Sequence, residues 1–138
     1  MKNFSLDSRL AKDCLVLGRM NISMLLLMNN SLVPWFILVP KTSEKEIYDL
    51  SSADQVALMQ EINTLSAFIK DNFDITKLNV ASIGNIVSQL HVHVVGRNIS
   101  DYCWPGVVWG ASEIKPYNDA QVSKITTDLR DQLGEKFT

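Results

Sequence analysis

The chain is poor in the residues that mark metal centres, disulfide frameworks and membrane segments. Its 138 residues include two histidines and two cysteines. Cys14 and Cys103 form neither a Cys-x-x-Cys pair nor another spacing typical of a metal site, which favours free thiols in a reducing compartment. The longest apolar runs, residues 24–28 and 36–40, are far shorter than the roughly 20 residues that span a bilayer. The first twenty residues also lack the pattern of a secretory signal. We therefore expect a cytoplasmic protein that is not bound to a membrane.

Neither sign of charge is in large excess. The chain has 13 Lys and Arg residues against 15 Asp and Glu residues, a formal net charge of -2. This balance argues against the strongly basic surface with which proteins bind a nucleic acid polymer. Repeats, low-complexity tracts and linker-like stretches are absent from the sequence. A length of 138 residues fits one domain, so we predict a single domain over residues 1–138.

The hydrophobic pattern changes its period along the chain, which places strands and helices. Short apolar runs bounded by turn residues predict strands, and apolar residues at gaps of three and four between Val56 and Ile69 predict a long helix. Because the first three strands are joined by short connections, antiparallel pairing is expected. The predicted fold class is α+β, an antiparallel sheet of about five strands with a long helix and a C-terminal helix packed on it. The strands are predicted at 13–17, 23–28, 35–39, 78–83 and 87–95, and the helices at 52–72 and 117–133.

Both histidines fall on one short stretch, 88–97, which reads SQLHVHVVGR. Side chains alternate between the two faces of a strand, so Gln89, His91 and His93 should share one face. The residues between them are apolar and should face the core under the helices. They are Leu90, Val92 and Val94.

Three interpretations of this polar face are open from the residues alone. The histidines are polar residues on a half-exposed sheet face, or they chelate a metal ion, or they catalyse a reaction at phosphorus or carbonyl carbon. A metal site usually needs a third or fourth ligand, and no further histidine or suitably spaced acid or thiol stands out. Catalysis suits imidazole, because one neutral ring can attack while another donates a hydrogen bond to developing negative charge.

The stretch QLHVHVV resembles the signature of the histidine triad (HIT) family, in which three histidines alternate with apolar residues. His91 matches the central histidine, the family's nucleophile on the α-phosphate of a nucleotide, and His93 matches the last one. Gln89 stands where the family has its first histidine, a variant similar to some bacterial members. The stretch LLLMNNSLVPWFILVPK, residues 25–41, also looks like the family's paired strands.

The resemblance implies a nucleotide hydrolase or nucleotidyl transferase acting on a nucleoside phosphoramidate or a dinucleoside polyphosphate. His91 would form a covalent nucleotidyl intermediate. His93 would bond a phosphate oxygen or help the leaving group, and Gln89 would bond a phosphate oxygen and steady the rotamers. No metal ion or other cofactor is implied, and the partners expected are the nucleotide substrate and a second copy of the chain in a homodimer.

The resemblance and the local sequence also suggest substrate-binding residues. Asn29 or Asn30 would reach the ribose, and Asn29 is favoured because it directly follows the apolar strand. Trp104 would stack on the base. The phosphate would be bound by Asn85 and Ser88, with backbone N–H groups near Gly84. Asn79, which aligns with a polar residue of the family just ahead of this loop, is a further substrate-binding candidate. Simpler interpretations stand beside these: the asparagines are also turn formers, and the Trp104 segment is also a cover over the core or a dimer contact. Arg97 is expected to be a solvated charge.

Two positions depart from the family pattern. Gln89 cannot titrate as histidine does, which weakens a proton-transfer role there. Trp35 stands where the family commonly has Gly-His, which affects contacts to the base. The alternative functions are therefore a nucleotide-binding regulatory module with weak turnover, or a metal protein that uses both histidines.

Overall fold

The computed structural model describes residues 4–138 and confirms the α+β class. One antiparallel sheet has the strand order β1-β2-β3-β5-β4. The strands are β1 (Cys14–Arg19), β2 (Ser23–Met28), β3 (Trp35–Pro40), β4 (Lys77–Ala81) and β5 (Val92–Arg97). The helices are α1 (Ser8–Asp13), α2 (Ser52–Asn72) and α3 (Asp119–Leu133), with short 3-10 turns at Ile47–Asp49 and Gly134–Lys136. The predicted domain, 1–138, also includes three residues outside the described part of the chain.

Several predicted boundaries differ from the observed ones. Strand β5 begins at Val92, not at residue 87, because residues 82–91 form a loop with no ladder partner. Gly96 lies inside β5 and does not end it, and a Cβ there would come within 2.7 Å of side-chain atoms of Ile75 and Pro34. Helix α1 was not expected from the sequence; Asp7 caps it by accepting from the backbone N–H of Arg9 and Leu10.

The long helix α2 has the predicted length but a different buried stripe at its start. The Ser51 hydroxyl accepts from the Asp54 N–H at 3.1 Å and caps the helix. Val56 and Met59 are exposed, whereas Leu58 is buried. From Ile62 onward the apolar periodicity and the buried face agree.

The sheet separates two hydrophobic cores. The helix-side core lies between the sheet and helices α2 and α3, and it includes Leu90, Val92 and Val94, as the alternation predicted. The loop-side core lies on the opposite face, where Trp35, Val95 and Val108 are buried. Residues near the N-terminus and the stretch after β5 cover this second face. The two histidines therefore point toward a covered face of the sheet.

Among residues 4–138, no helix combines the length and hydropathy needed to cross a bilayer.

Candidate active site

His91 is the last residue of the loop that leads into β5, and a main-chain contact fixes its ring. Its Nδ1 lies 2.6 Å from the carbonyl oxygen of Gln89. A carbonyl oxygen can only accept, so Nδ1 carries the hydrogen of the neutral ring and Nε2 keeps its lone pair. The residue is 5% exposed. At the end of the loop, His91 therefore has its tautomer set by the main chain, with the lone pair on Nε2.

His93 is held in the opposite tautomer. The indole Nε1–H of Trp35 donates to His93 Nδ1 at 3.0 Å. Indole nitrogen is a donor only, so Nδ1 of His93 must be the acceptor and the ring hydrogen sits on Nε2. The two imidazole centroids lie 5.0 Å apart with an interplanar angle of 69°. One ring thus offers a lone pair, and its neighbour offers an N–H.

His93 stays neutral over the physiological range. Burial, with a smaller contribution from the charge of nearby His91, lowers its pKa to about 4. The Trp35 N–H occupies the one ring nitrogen that a second proton would take. His93 is therefore a hydrogen-bond donor at neutral pH and not a cationic acid.

Two tryptophans enclose the His93 ring. The Trp109 ring meets His93 edge to face, with centroids 5.3 Å apart and an angle of 78°. It meets Trp35 in the same way, at 6.1 Å and 79°. Sequence reasoning treated Trp35 as a departure and gave Trp109 no specific role. Their contact with His93 was missed because the pairing joins residues that are far apart in sequence.

The side chain of Gln89 lies against the backbone of Ser5 and Asp7, a contact that the sequence did not predict. Its Oε1 accepts from the backbone N–H of Asp7 at 2.8 Å, and its Nε2 donates to the carbonyl of Ser5 at 2.9 Å. The side chain is therefore paired with the backbone near the N-terminus, while the main-chain carbonyl of the same residue holds His91. The predicted bond to a phosphate oxygen stays a prediction, with one Nε2 hydrogen left for it.

A cavity of about 270 Å³ opens beside His91. Asn85 and Ser88, both predicted phosphate contacts, line it together with Gly84. Lys45 and Glu46 also line it and were not anticipated, since a charged stretch in a sequence usually marks a solvated loop. The cavity places a cation, a carboxylate, hydroxyl groups and amide groups beside His91.

The other predicted substrate contacts lie outside this cavity and have protein partners. Asn29 Oδ1 accepts from the backbone N–H of Tyr117 at 2.9 Å. Asn79 Oδ1 accepts from Arg97 Nη1 at 2.9 Å, and the ring of Trp104 lies 5.6 Å from the Arg97 guanidinium. These contacts leave their binding roles as predictions.

Arg97 is not the solvated charge that the sequence indicated. Its side chain is 1% exposed and binds Asp101 through Nε at 2.8 Å and Nη2 at 3.1 Å. Nη2 also donates to the Gly106 carbonyl at 2.8 Å. Burial alone would raise the pKa of Asp101, but hydrogen bonds from Arg97 and two backbone N–H groups lower it overall. The pair fastens the turn after β5 to the sheet.

The part of the chain that the structure describes contains no group of three or more His, Cys, Asp or Glu side chains placed to hold a metal ion. His91 and His93 each have one ring nitrogen committed to a protein partner.

Comparison with known proteins gives consistent results. A family model described as the HIT domain matches residues 9–99. A histidine triad protein from Marinobacter aquaeolei VT8 is 40% identical with a TM-score of 0.90, covering 96% of this chain and 98% of that one. A histidine triad protein from Sinorhizobium meliloti 1021 is 36% identical with a TM-score of 0.90, covering 95% and 98%.

A more distant structure, a Plasmodium falciparum diadenosine triphosphate hydrolase, is 16% identical with a TM-score of 0.63 and covers 96% of this chain and 84% of that one. At that identity the likeness extends to the fold alone. A search of curated proteins found no match. The family match over most of the chain and the two close structural relatives show that this chain belongs to the HIT domain family.

Proposed function

We propose that this protein is a nucleotide hydrolase or nucleotidyl transferase that cleaves at the α-phosphate through a covalent nucleotidyl-His91 intermediate. The observation that carries the proposal is the pair of opposite tautomers. His91 presents a lone pair at Nε2 and His93 presents an N–H, in rings 5.0 Å apart. A nucleophile beside a fixed donor is the arrangement that displacement at a phosphate requires.

In the first step, the lone pair of His91 Nε2 forms a bond to the α-phosphorus. The bond from phosphorus to the leaving group breaks, and the leaving group takes that electron pair. The His91 ring is then substituted at Nε2 and still carries its Nδ1 hydrogen, so it is cationic. The Gln89 carbonyl, 2.6 Å from Nδ1, stabilises that charge.

In the second step, water or an acceptor phosphate attacks the same phosphorus and the bond to Nε2 breaks. His91 returns to its neutral form, and the proton of the attacking water goes to solvent. The Nε2–H of His93 donates to a non-bridging oxygen in both steps without leaving the ring. Loss of that hydrogen would create an imidazolate, which is far too basic to form near pH 7.

This assignment favours leaving groups that depart as anions. A nucleotide released from a dinucleoside polyphosphate is such a group, whereas the amine of a phosphoramidate must gain a proton as it departs. Among the candidate substrates, a dinucleoside polyphosphate therefore fits the site better than a phosphoramidate.

The test is chemical trapping of the intermediate. Enzyme mixed with a dinucleoside polyphosphate and quenched in alkali, where phosphoryl-imidazole bonds persist, should carry one nucleotidyl group on His91 by peptide mass spectrometry. A label found on other residues alone overturns the assignment. A homodimer is proposed as well, and light scattering should give the mass of two chains.

A second function has one observation in its favour. The Gln89 side chain is occupied by backbone groups of Ser5 and Asp7, so it is poorly available to a substrate. A binding module with slow turnover would bind nucleotide tightly and release product far more slowly than a typical enzyme, and Gln89→His would be the variant to compare.

A further inference from the structure

The N-terminal segment, defined here as residues 4–7, reaches the nucleophile through a single residue. Gln89 binds this segment with its side chain and His91 with its main-chain carbonyl. The two side-chain partners, Asp7 and Ser5, lie 82 and 84 residues away along the chain. Gln89 therefore links the segment to Nδ1 of His91, with hydrogen bonds from its side chain to the segment and from its main-chain carbonyl to the His91 ring.

The side-chain amide pairs with the segment much as a neighbouring strand would. It accepts from one peptide N–H and donates to a peptide carbonyl two residues earlier. This pairing requires a donor and an acceptor that lie next to each other and point in nearly the same direction. The N–H and C=O groups of a primary amide meet this requirement. The two nitrogens of an imidazole diverge around the ring and cannot reproduce it. The pairing gives a physical reason for glutamine at this position.

The segment is itself anchored, so it can hold Gln89 in place. Phe4 and Leu6 pack against the loop-side core, in which Leu10 is 5% exposed. The Asp7 side chain caps helix α1, which runs directly into β1. The segment is thus held by core packing of Phe4 and Leu6 and by the helix that leads into β1.

We infer that the N-terminal segment is a positioning element of the active site: it fixes Gln89, and Gln89 in turn fixes the tautomer and orientation of His91. This inference rests on the proposed function for its kinetic consequence. Small displacements of a nucleophile lower the reaction rate strongly: a misplacement of about 1 Å reduces it roughly 100-fold. The segment then contributes to turnover without touching substrate.

Substitutions at Asp7 can remove the hydrogen bond from its backbone N–H to Gln89 Oε1, and one of them serves as a matched control. The Asp7 φ of -52° suits proline, so Asp7→Pro deletes the backbone N–H at an allowed backbone angle, and the proline ring also displaces Gln89 Oε1 from its contact with Asp7. Asp7→Ala keeps the N–H and loses only the helix cap, as Asp7→Pro also does. The difference between the two variants reports the loss of the contact between Asp7 and Gln89 Oε1. Gln89→Met, similar in length and without polar atoms, removes both bonds from the other side.

The first readout is kinetic. We expect kcat for nucleotide release to fall about tenfold or more in Asp7→Pro relative to Asp7→Ala, with KM little changed. In a Gln89→Met background the same pair of substitutions should differ by less than twofold, because the bond is already absent. If Gln89→Met lowers kcat while Asp7→Pro matches Asp7→Ala, Gln89 acts on substrate directly and the inference is overturned.

The second readout does not depend on activity. Nitrogen-15 NMR of the wild type should show His91 as the Nδ1–H tautomer, and this signal should be lost or mixed in Asp7→Pro and in Gln89→Met but kept in Asp7→Ala. An unchanged His91 signal in both of the first two variants overturns the inference. Absence of turnover in the wild type, with the NMR pattern as described, removes the proposed function and leaves the positioning of His91 standing.

Discussion

Trp35 donates its indole hydrogen to Nδ1 of His93 across neighbouring strands, at 3.0 Å. In the ladder, His93 is paired with Ile37 and Trp35 with Val95, so the bond runs diagonally across one face of the sheet. It decides which nitrogen of His93 carries the hydrogen. The residue that looked like a departure from the family pattern therefore sets the chemistry of the second histidine.

Replacing Trp35 with phenylalanine should free His93 Nδ1. With no donor facing it, this nitrogen can take a proton, so the pKa of His93 should rise from about 4. The buried nitrogen also loses its partner, which costs about 1–3 kcal/mol of unfolding free energy. Nitrogen-15 NMR titration measures the pKa directly. Trp109→Phe is the control, because Trp109 packs on His93 without bonding it; an equal rise in both variants would contradict the account.

Stability should depend on pH through His93. Its pKa is about 4 in the folded chain and near 6.5 when unfolded, so the unfolded state binds more protons between these values. Stability is therefore complete above pH 6.5 and falls as the pH is lowered toward 4. Between pH 7.5 and 5, urea unfolding should show the wild type losing about 2 kcal/mol more than His93→Gln, which cannot titrate. Parallel pH curves for the two proteins would refute this.

The Arg97–Asp101 pair should matter far more than a surface pair of similar geometry. Arg97→Met leaves a carboxylate with 5% exposure without its cation, which should cost about 3–5 kcal/mol. Lys124→Met breaks the Lys124–Asp128 pair, also 2.8 Å apart, where the lysine is 78% exposed. That change should cost less than about 1 kcal/mol. Chemical denaturation checks both, and similar losses would contradict the assignment of Arg97 as a buried anchor.

The cavity beside His91 should bind the phosphates of the substrate. Asn85→Ala and Ser88→Ala each remove a polar group from its lining, so each should raise KM about 3- to 10-fold, as expected for one lost hydrogen bond. Ser123→Ala, on the exposed side of α3, serves as the matched control and should leave KM within twofold. Equal KM values for all three variants would show that the phosphates bind elsewhere.

The alternation of apolar and polar residues predicted the features that depend on it directly, such as which side chains share a face of a strand. The alternation of Leu90, Val92 and Val94 predicted their place in the helix-side core, because a strand must alternate its faces. The same alternation put His91 and His93 side by side, and their rings are in contact distance. The start of β5 was placed too early because apolar periodicity does not reveal where a ladder partner ends.

The contacts that define the site could not be predicted from the sequence. Trp35 meets His93 across 58 residues, and Gln89 meets Asp7 across 82. No period or motif links such positions, since only the folded sheet brings them together. Arg97 illustrates a related limit: a charged residue is usually solvated, and its burial follows from a turn that places Asp101 opposite it.

The central claim is that His91 is the nucleophile of a nucleotide-cleaving enzyme. The most direct measurement is release of nucleoside monophosphate from a diadenosine polyphosphate and from an adenosine phosphoramidate, in chelator, with wild type beside His91→Ala. We predict turnover by the wild type, faster with the polyphosphate, and loss of at least about 1,000-fold in the variant, the order expected when a covalent nucleophile is removed. Turnover that survives in His91→Ala, or that requires an added metal ion, would contradict the account.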